Sequence, residues 1–78
     1  MLNNVYVLYN NLAKRYNDVF AYPTDEFAAA RLREAYPAPR LEELELCRVG
    51  TYSLETGIFE THAPIRVPLG IGGIELNN

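Results

Sequence analysis

The chain of 78 residues has no tryptophan and only one cysteine, one histidine and one methionine. A single cysteine excludes an internal disulfide, so Cys47 reads as a small apolar side chain in a reducing compartment. A single histidine, His62, leaves no cluster of metal-ligating side chains at tight spacing, and no metal or cofactor is expected. Cys47 and His62 are the one conceivable thiol and base, but no third group is in evidence to orient them. The glutamates Glu42, Glu43, Glu45, Glu55 and Glu60 read as a solvated acidic face, since paired acid–base chemistry needs two carboxyls held at a defined distance. Gly70 to Gly73 lack the Lys-Ser or Lys-Thr and the following helix of a phosphate loop. The expectation is a binding or accessory protein and not an enzyme.

Long apolar runs are also missing. None approaches the roughly 20 residues that span a bilayer. Met1 to Asn4 carry neither the basic segment nor the apolar stretch of a signal peptide. The expected location is cytoplasmic, with no membrane partner. Positive charge is scarce: seven bases face ten acids, for a net charge of −3. Binding to nucleic acid draws on cations meeting phosphates, so any such binding requires those few cations to gather on one face.

What is present is enough for one small core. The apolar share is 49%, which favours a compact fold over disorder. Val5 to Tyr9 is β-branched and aromatic, as strands are. Asn10-Asn11 offers turn chemistry, and Val19 to Tyr22 reads as a second strand after a loop. Pro23 closes it, and Thr24 is a good N-cap followed by Asp25 and Glu26, where negative charge suits the helix dipole. Phe27 to Ala35 is rich in helix formers, with Ala28, Leu32 and Ala35 on one stripe flanked by Phe27 and Tyr36. Pro37 and Pro39 end the helix.

Leu44 to Tyr52 reads as a third strand, in which Gly50 marks a bulge or a close backbone approach. Gly57 supplies the positive φ of a hairpin turn, and Ile58 to His62 returns. Ala63 to Leu69, with Pro64 and Pro68, is a candidate fifth strand at a sheet edge. The fold class is therefore α+β, ββαββ, with one helix packed on a four- or five-stranded antiparallel sheet. Residues 1–69 form the domain, and the glycine-containing stretch 70–78 is expected to be a flexible tail.

The chain has six tyrosines. Alternation places Tyr6 and Leu8 on one sheet face and Val5, Val7 and Tyr9 on the other. Both faces have apolar members, so alternation does not say which one the helix covers. One helix covers one face only, so the second face shows its rings unless something else covers them. Rings beside cations make a stacking platform for single-stranded bases. The candidate nucleic-acid-binding set is Tyr6, Tyr9 and Tyr16 as stackers with Lys14, Arg15 and Arg48 as phosphate contacts, and Arg66 on a later strand can join it. Tyrosine-rich faces also serve as protein or dimer contacts, and tyrosines also fill ordinary cross-strand pairs. A partner is thus single-stranded DNA, a second copy of the chain, or another protein.

Two segments carry a resemblance. In Tyr9 to Phe20, Tyr9, Ala13, Tyr16 and Phe20 fall in register with the N-terminal segment of a small non-structural protein of microviruses, the icosahedral single-stranded-DNA phages, in its gokushovirus form. Pro23-Thr24 and Ala29-Ala30-Arg31 continue the likeness, and Leu46, Val49-Gly50, Tyr52, Thr56-Gly57 and Ile58 resemble that family's downstream hairpin. The likeness runs over residues 5 to 68 or so. Asn10 and Ser53 stand where the family usually has aspartate, Leu12 replaces a lysine, Val19 replaces a proline, and the connection from Pro37 to Glu43 is shorter. The resemblance implies an early, non-capsid protein of the infected host's cytoplasm, acting in phage DNA replication by binding single-stranded DNA or by contacting a phage or host replication protein.

Overall fold

In a computed structural model, residues 1–70 are described. They form an antiparallel sheet of four strands: β1 (Leu2–Asn10), β2 (Arg15–Tyr22), β3 (Leu44–Ser53) and β4 (Phe59–Val67). The order across the sheet is β2-β1-β3-β4, so the two hairpins meet through their first strands. Helix α1 (Asp25–Ala35) and a single turn, α2 (Ala38–Leu41), lie between the hairpins in sequence. The α+β, ββαββ architecture read from the sequence is the one observed.

Each element has a local cause. The first turn is shorter than the expected loop, and β2 begins at Arg15 rather than Val19. The Asn10 side chain accepts from the Leu12 and Ala13 amides at 2.9 Å, and Lys14 takes a φ of 60°, so the reversal closes within the residues between the strands. Asn17-Asp18, which leads into the apolar run Val19 to Tyr22, forms a bulge within β2: β2 slips against β1 between Val7 and Leu8, and Asp18 has a φ of 39°. Thr24 caps α1 as expected, its hydroxyl accepting from the Phe27 amide at 3.1 Å. Pro37 stops α1 and also opens α2, where a missing amide costs nothing. The sequence reading did not anticipate α2, which delivers buried Leu41 to the end of the core.

The candidate fifth strand is not separate. Ala63 to Val67 continues β4 past an irregularity in its pairing with β3, and Pro64 is accommodated because β4 is an edge. Leu69 packs into the core beyond it. The stretch expected to be a tail lies, apart from Gly70, outside the described residues.

The core forms between α1 and the face of the sheet carrying Tyr6, Leu8, Leu44, Leu46 and Val67. The helix contributes Ala28, Ala29 and Leu32. Ala35, expected in that stripe, is exposed, and Ala29 takes its place. Two small residues let the helix backbone sit close to the sheet, and Leu32 alone fills the gap beneath it, a burial that contributes roughly 2 kcal/mol.

Gly50 is required by the pairing of β3 with β4. A Cβ at that position would overlap the Glu60 carbonyl oxygen, a backbone atom with nowhere to go. Gly57 differs: a Cβ there meets nothing, and only its φ of 74° resists a side chain. Gly50→Ala should therefore cost about 3 kcal/mol or more, the upper end of overpacking, and Gly57→Ala about 1 kcal/mol. Thermal unfolding of the two variants checks the ranking, and equal losses would refute the close approach at Gly50.

Candidate nucleic-acid interface

The site begins with the face that the helix leaves bare. Alternation along β1 puts Asn3, Val5, Val7 and Tyr9 on it. Their cross-strand partners complete the face: Ala21, Val19 and Tyr16 on β2, and Tyr52, Gly50, Cys47 and Glu45 on β3. On β4, Phe59, Thr61 and Arg66 oppose Tyr52, Gly50 and Cys47.

Two aromatic pairs mark this face. Tyr9 and Tyr16 are direct cross-strand partners whose rings meet edge-on at 4.9 Å. Tyr52 and Phe59 are also direct partners, stacked at 4.7 Å. They occupy opposite corners. Tyr52 pairs with Asn3, and from Asn3 to Tyr9 along β1 is about 20 Å at the ordinary strand rise. Tyr16 is 52% exposed, Phe59 58% and Val19 70%. Between the corners the side chains are small, and Val5 and Cys47 are buried, 5% and 6% exposed.

Charge on this face is sparse. By register, Glu45 and Arg66 are its charged strand residues, and they approach each other to 4.0 Å. Lys14 lies in the turn next to the Tyr9–Tyr16 corner. Arg15 opposes Asn10, so it stands at the rim on the helix side of the same corner. The remaining strand carboxylates lie elsewhere: Glu60 opposes Thr51 on the helix face, and Asp18 faces a groove beside α1.

The structure thus brings together Tyr9, Tyr16, Lys14 and Arg15 from the set proposed on sequence. It separates the other two. Tyr6 is 0% exposed and lies beneath α1, so no base can stack on it. Its hydroxyl donates to Asp25 Oδ1 at 2.7 Å and accepts from Asn4 Nδ2 at 3.1 Å. Arg48 opposes Tyr6 on that same face and pairs with the other oxygen of Asp25. Both residues are therefore structural. The Arg48 guanidinium, partly buried and held by that carboxylate, lies on the face opposite the two ring pairs.

Tyr52 and Phe59 were absent from the sequence-based set. The signal for them was present: they flank the Thr56-Gly57 turn, and pairing outward from that turn makes them neighbours on one face.

Cys47 is a buried free thiol. Burial and then the nearby Glu45 carboxylate push its pKa up, partly offset by Arg66. Its cross-strand partner is Arg66, and exposed His62 sits in the irregular stretch of β4 with its Nδ1 2.8 Å from the Ala63 carbonyl. Among the described residues no group of three or more His, Cys, Asp or Glu could hold a metal ion. None of the helices in those residues is long and apolar enough to cross a membrane.

Desolvation, reinforced by the Asp25 carboxylate, pushes the Tyr6 hydroxyl up to about 12 from its ordinary 10.0. The folded state holds this proton more tightly than the unfolded chain. The resulting stability is complete below pH 10 and is lost as pH rises from there towards 12, by roughly 3 kcal/mol in full. Urea unfolding at pH 9 and pH 11 should show the fall. Tyr6→Phe should be less stable at pH 9 by about 2 kcal/mol, because Asp25 loses a donor, and should lack Tyr6's share of the alkaline loss. An identical alkaline slope in the variant would show that Tyr6 is not its source.

No protein-family model, curated protein or solved structure matches this chain.

Proposed function

We propose that the chain is a non-structural accessory protein of a single-stranded-DNA phage, acting in viral DNA replication in the host cytoplasm by binding single-stranded DNA. The reading rests on the resemblance in Tyr9 to Phe20 and in the hairpin from Leu46 to Ile58. The observation that carries it is the placing of two aromatic pairs, Tyr9–Tyr16 and Tyr52–Phe59, at opposite corners of the sheet face that α1 does not cover.

Such a face suits a single strand for physical reasons. Every base has a flat apolar surface, so rings on a rigid sheet accept bases with little regard for sequence. A base stacked at each corner fixes a strand running diagonally across the small side chains between them. Lys14 and Arg15 at one corner and Arg66 on β4 supply the phosphate contacts. The role is binding, with no covalent step asked of Cys47 or His62.

A second reading is favoured by Val19, which is 70% exposed on that face, and by the net charge of −3. The same surface then associates with a second copy or with a phage or host replication protein, and DNA is not touched.

Tyrosine emission separates the two, since no tryptophan masks it. Titration with a ~30-nucleotide oligothymidine, long enough for several sites, should quench it saturably. With three cations engaged, the slope of log K against log salt should be shallow, about −2. Tyr9→Ala and Phe59→Ala should each weaken binding by about 1–3 kcal/mol, and Arg48→Gln should leave affinity unchanged in protein that remains folded. Absence of quenching, together with a concentration-dependent mass insensitive to salt, would replace this reading with the second.

A further inference from the structure

A groove of about 240 Å³ opens between α1 and β2, on the side of the sheet that the helix covers. Leu32 forms part of its floor, and Phe20, Tyr22 and Tyr36 form its walls. All three rings are only partly buried. Asp18 and Arg31 bring opposite charges to the lining.

Asp18 is placed there by the β2 bulge. It is the extra residue between Asn17, which opposes Leu8, and Val19, which opposes Val7. Its φ of 39° lies in the left-handed region, which aspartate tolerates better than most residues but still at a cost. Bulges re-aim side chains, and here the re-aimed group is a carboxylate. Asp18 is exposed, and among the described residues its carboxylate has no hydrogen-bond or ion-pair partner. The bulge thus sets an exposed carboxylate at the lip of an aromatic groove, where a ligand seated against the rings can reach it. Arg31 gives Nη1 to Glu34 at 3.1 Å, and the rest of its guanidinium is available.

We infer that this groove takes a guanine base. The inference rests on the single-strand reading above and adds a base preference to it. Ring walls select a flat ligand that stacks. A carboxylate only accepts and a guanidinium only donates. The ligand must therefore offer donors on one edge and acceptors on another. Guanine presents two parallel donors, N1–H and the N2 amino group, to a carboxylate, and O6 with N7 to a guanidinium. Adenine and cytosine bring one amino group, and thymine one ring N–H, so none fills the carboxylate's two oxygens. The volume falls below the ~300–1,000 Å³ of pockets for larger ligands, as suits a base with part of its sugar.

The position fits a strand lying on the other face. β2 is the edge strand that separates the groove from the Tyr9–Tyr16 corner. A strand crossing that corner reaches the groove by turning over the β2 edge and unstacking one base into it, where both the Watson–Crick edge and the ring face are read.

The test uses the full chain, the four deoxynucleoside monophosphates, and two 12-nucleotide strands, one all thymine and one with a central guanine. Binding is followed by NMR of the tyrosine ring signals. The expected result is that dGMP binds about tenfold or more tightly than the other three, and that it moves the Tyr22 and Tyr36 signals. The central guanine should raise strand affinity by a similar factor. Asp18→Asn, which keeps tolerance of the left-handed backbone, should keep its melting temperature and its all-thymine affinity while losing the guanine preference; Arg31→Ala should lose it as well. Preference for dGMP with no gain from the central guanine would assign the groove to a free guanine nucleotide. Preference for dGMP with neither strand binding would leave the guanine site standing and remove the single-strand reading. Equal binding of all four monophosphates, binding of none, or an intact preference in Asp18→Asn would overturn the inference.

Discussion

Asp25 ties the helix to the sheet, and the rest of the structure depends on that tie. One carboxylate oxygen accepts from the Tyr6 hydroxyl and the other from Arg48, both of which rise from the central strands. Asp25 is also the first residue of α1, where its charge meets the positive end of the helix dipole. The link is polar and partly enclosed, and its members satisfy one another. It fixes which face of the sheet receives the helix, and Ala28, Ala29 and Leu32 then close over Tyr6, Leu8 and Leu46.

With one face covered by α1 and the other carrying no helix among the described residues, the edges decide how the molecule meets others. An unguarded edge strand invites pairing with another chain. Here both edges are interrupted: β2 by the bulge at Asp18, and β4 by Pro64 and its irregular pairing with β3. Strand-to-strand growth is disfavoured, and the bare face remains as the broad surface for contact. Its two ring pairs are held by backbone pairing on both sides, so little ordering is needed when a flat partner arrives.

Much of this was legible in the sequence because the signals are local. The Thr24 cap, the Gly57 turn, the close approach at Gly50 and the β-branched strands each depend on a few adjacent residues. The misreadings came where a local signal served another purpose. The second strand was expected from Val19 and begins at Arg15, because Asn10 and Lys14 had already reversed the chain and Asp18 is absorbed as a bulge. Ala63 to Leu69 reads as a separate edge strand, and its first part instead continues β4, where an edge position spares the Pro64 amide. The assignment of faces was beyond reach, since alternation gives two apolar faces and the deciding contact joins Tyr6 and Arg48 to Asp25 across distant sequence. That single contact removed Tyr6 and Arg48 from the candidate interface. Tyr9 and Tyr16 remained in it, because a hairpin keeps local neighbours together.

The central claim is that the uncovered face receives a single strand, and the most direct measurement is a residue-by-residue map of the contact. Amide and aromatic NMR signals of the labelled chain would be followed as a short oligothymidine is added. The account predicts that shifts concentrate at Tyr9, Tyr16, Tyr52 and Phe59 with the strand segments between them, and that the outer face of α1 around Glu26, Arg33 and Glu34 stays still. Shifts on the helix with none at the two ring pairs, or no shifts at all, would contradict it.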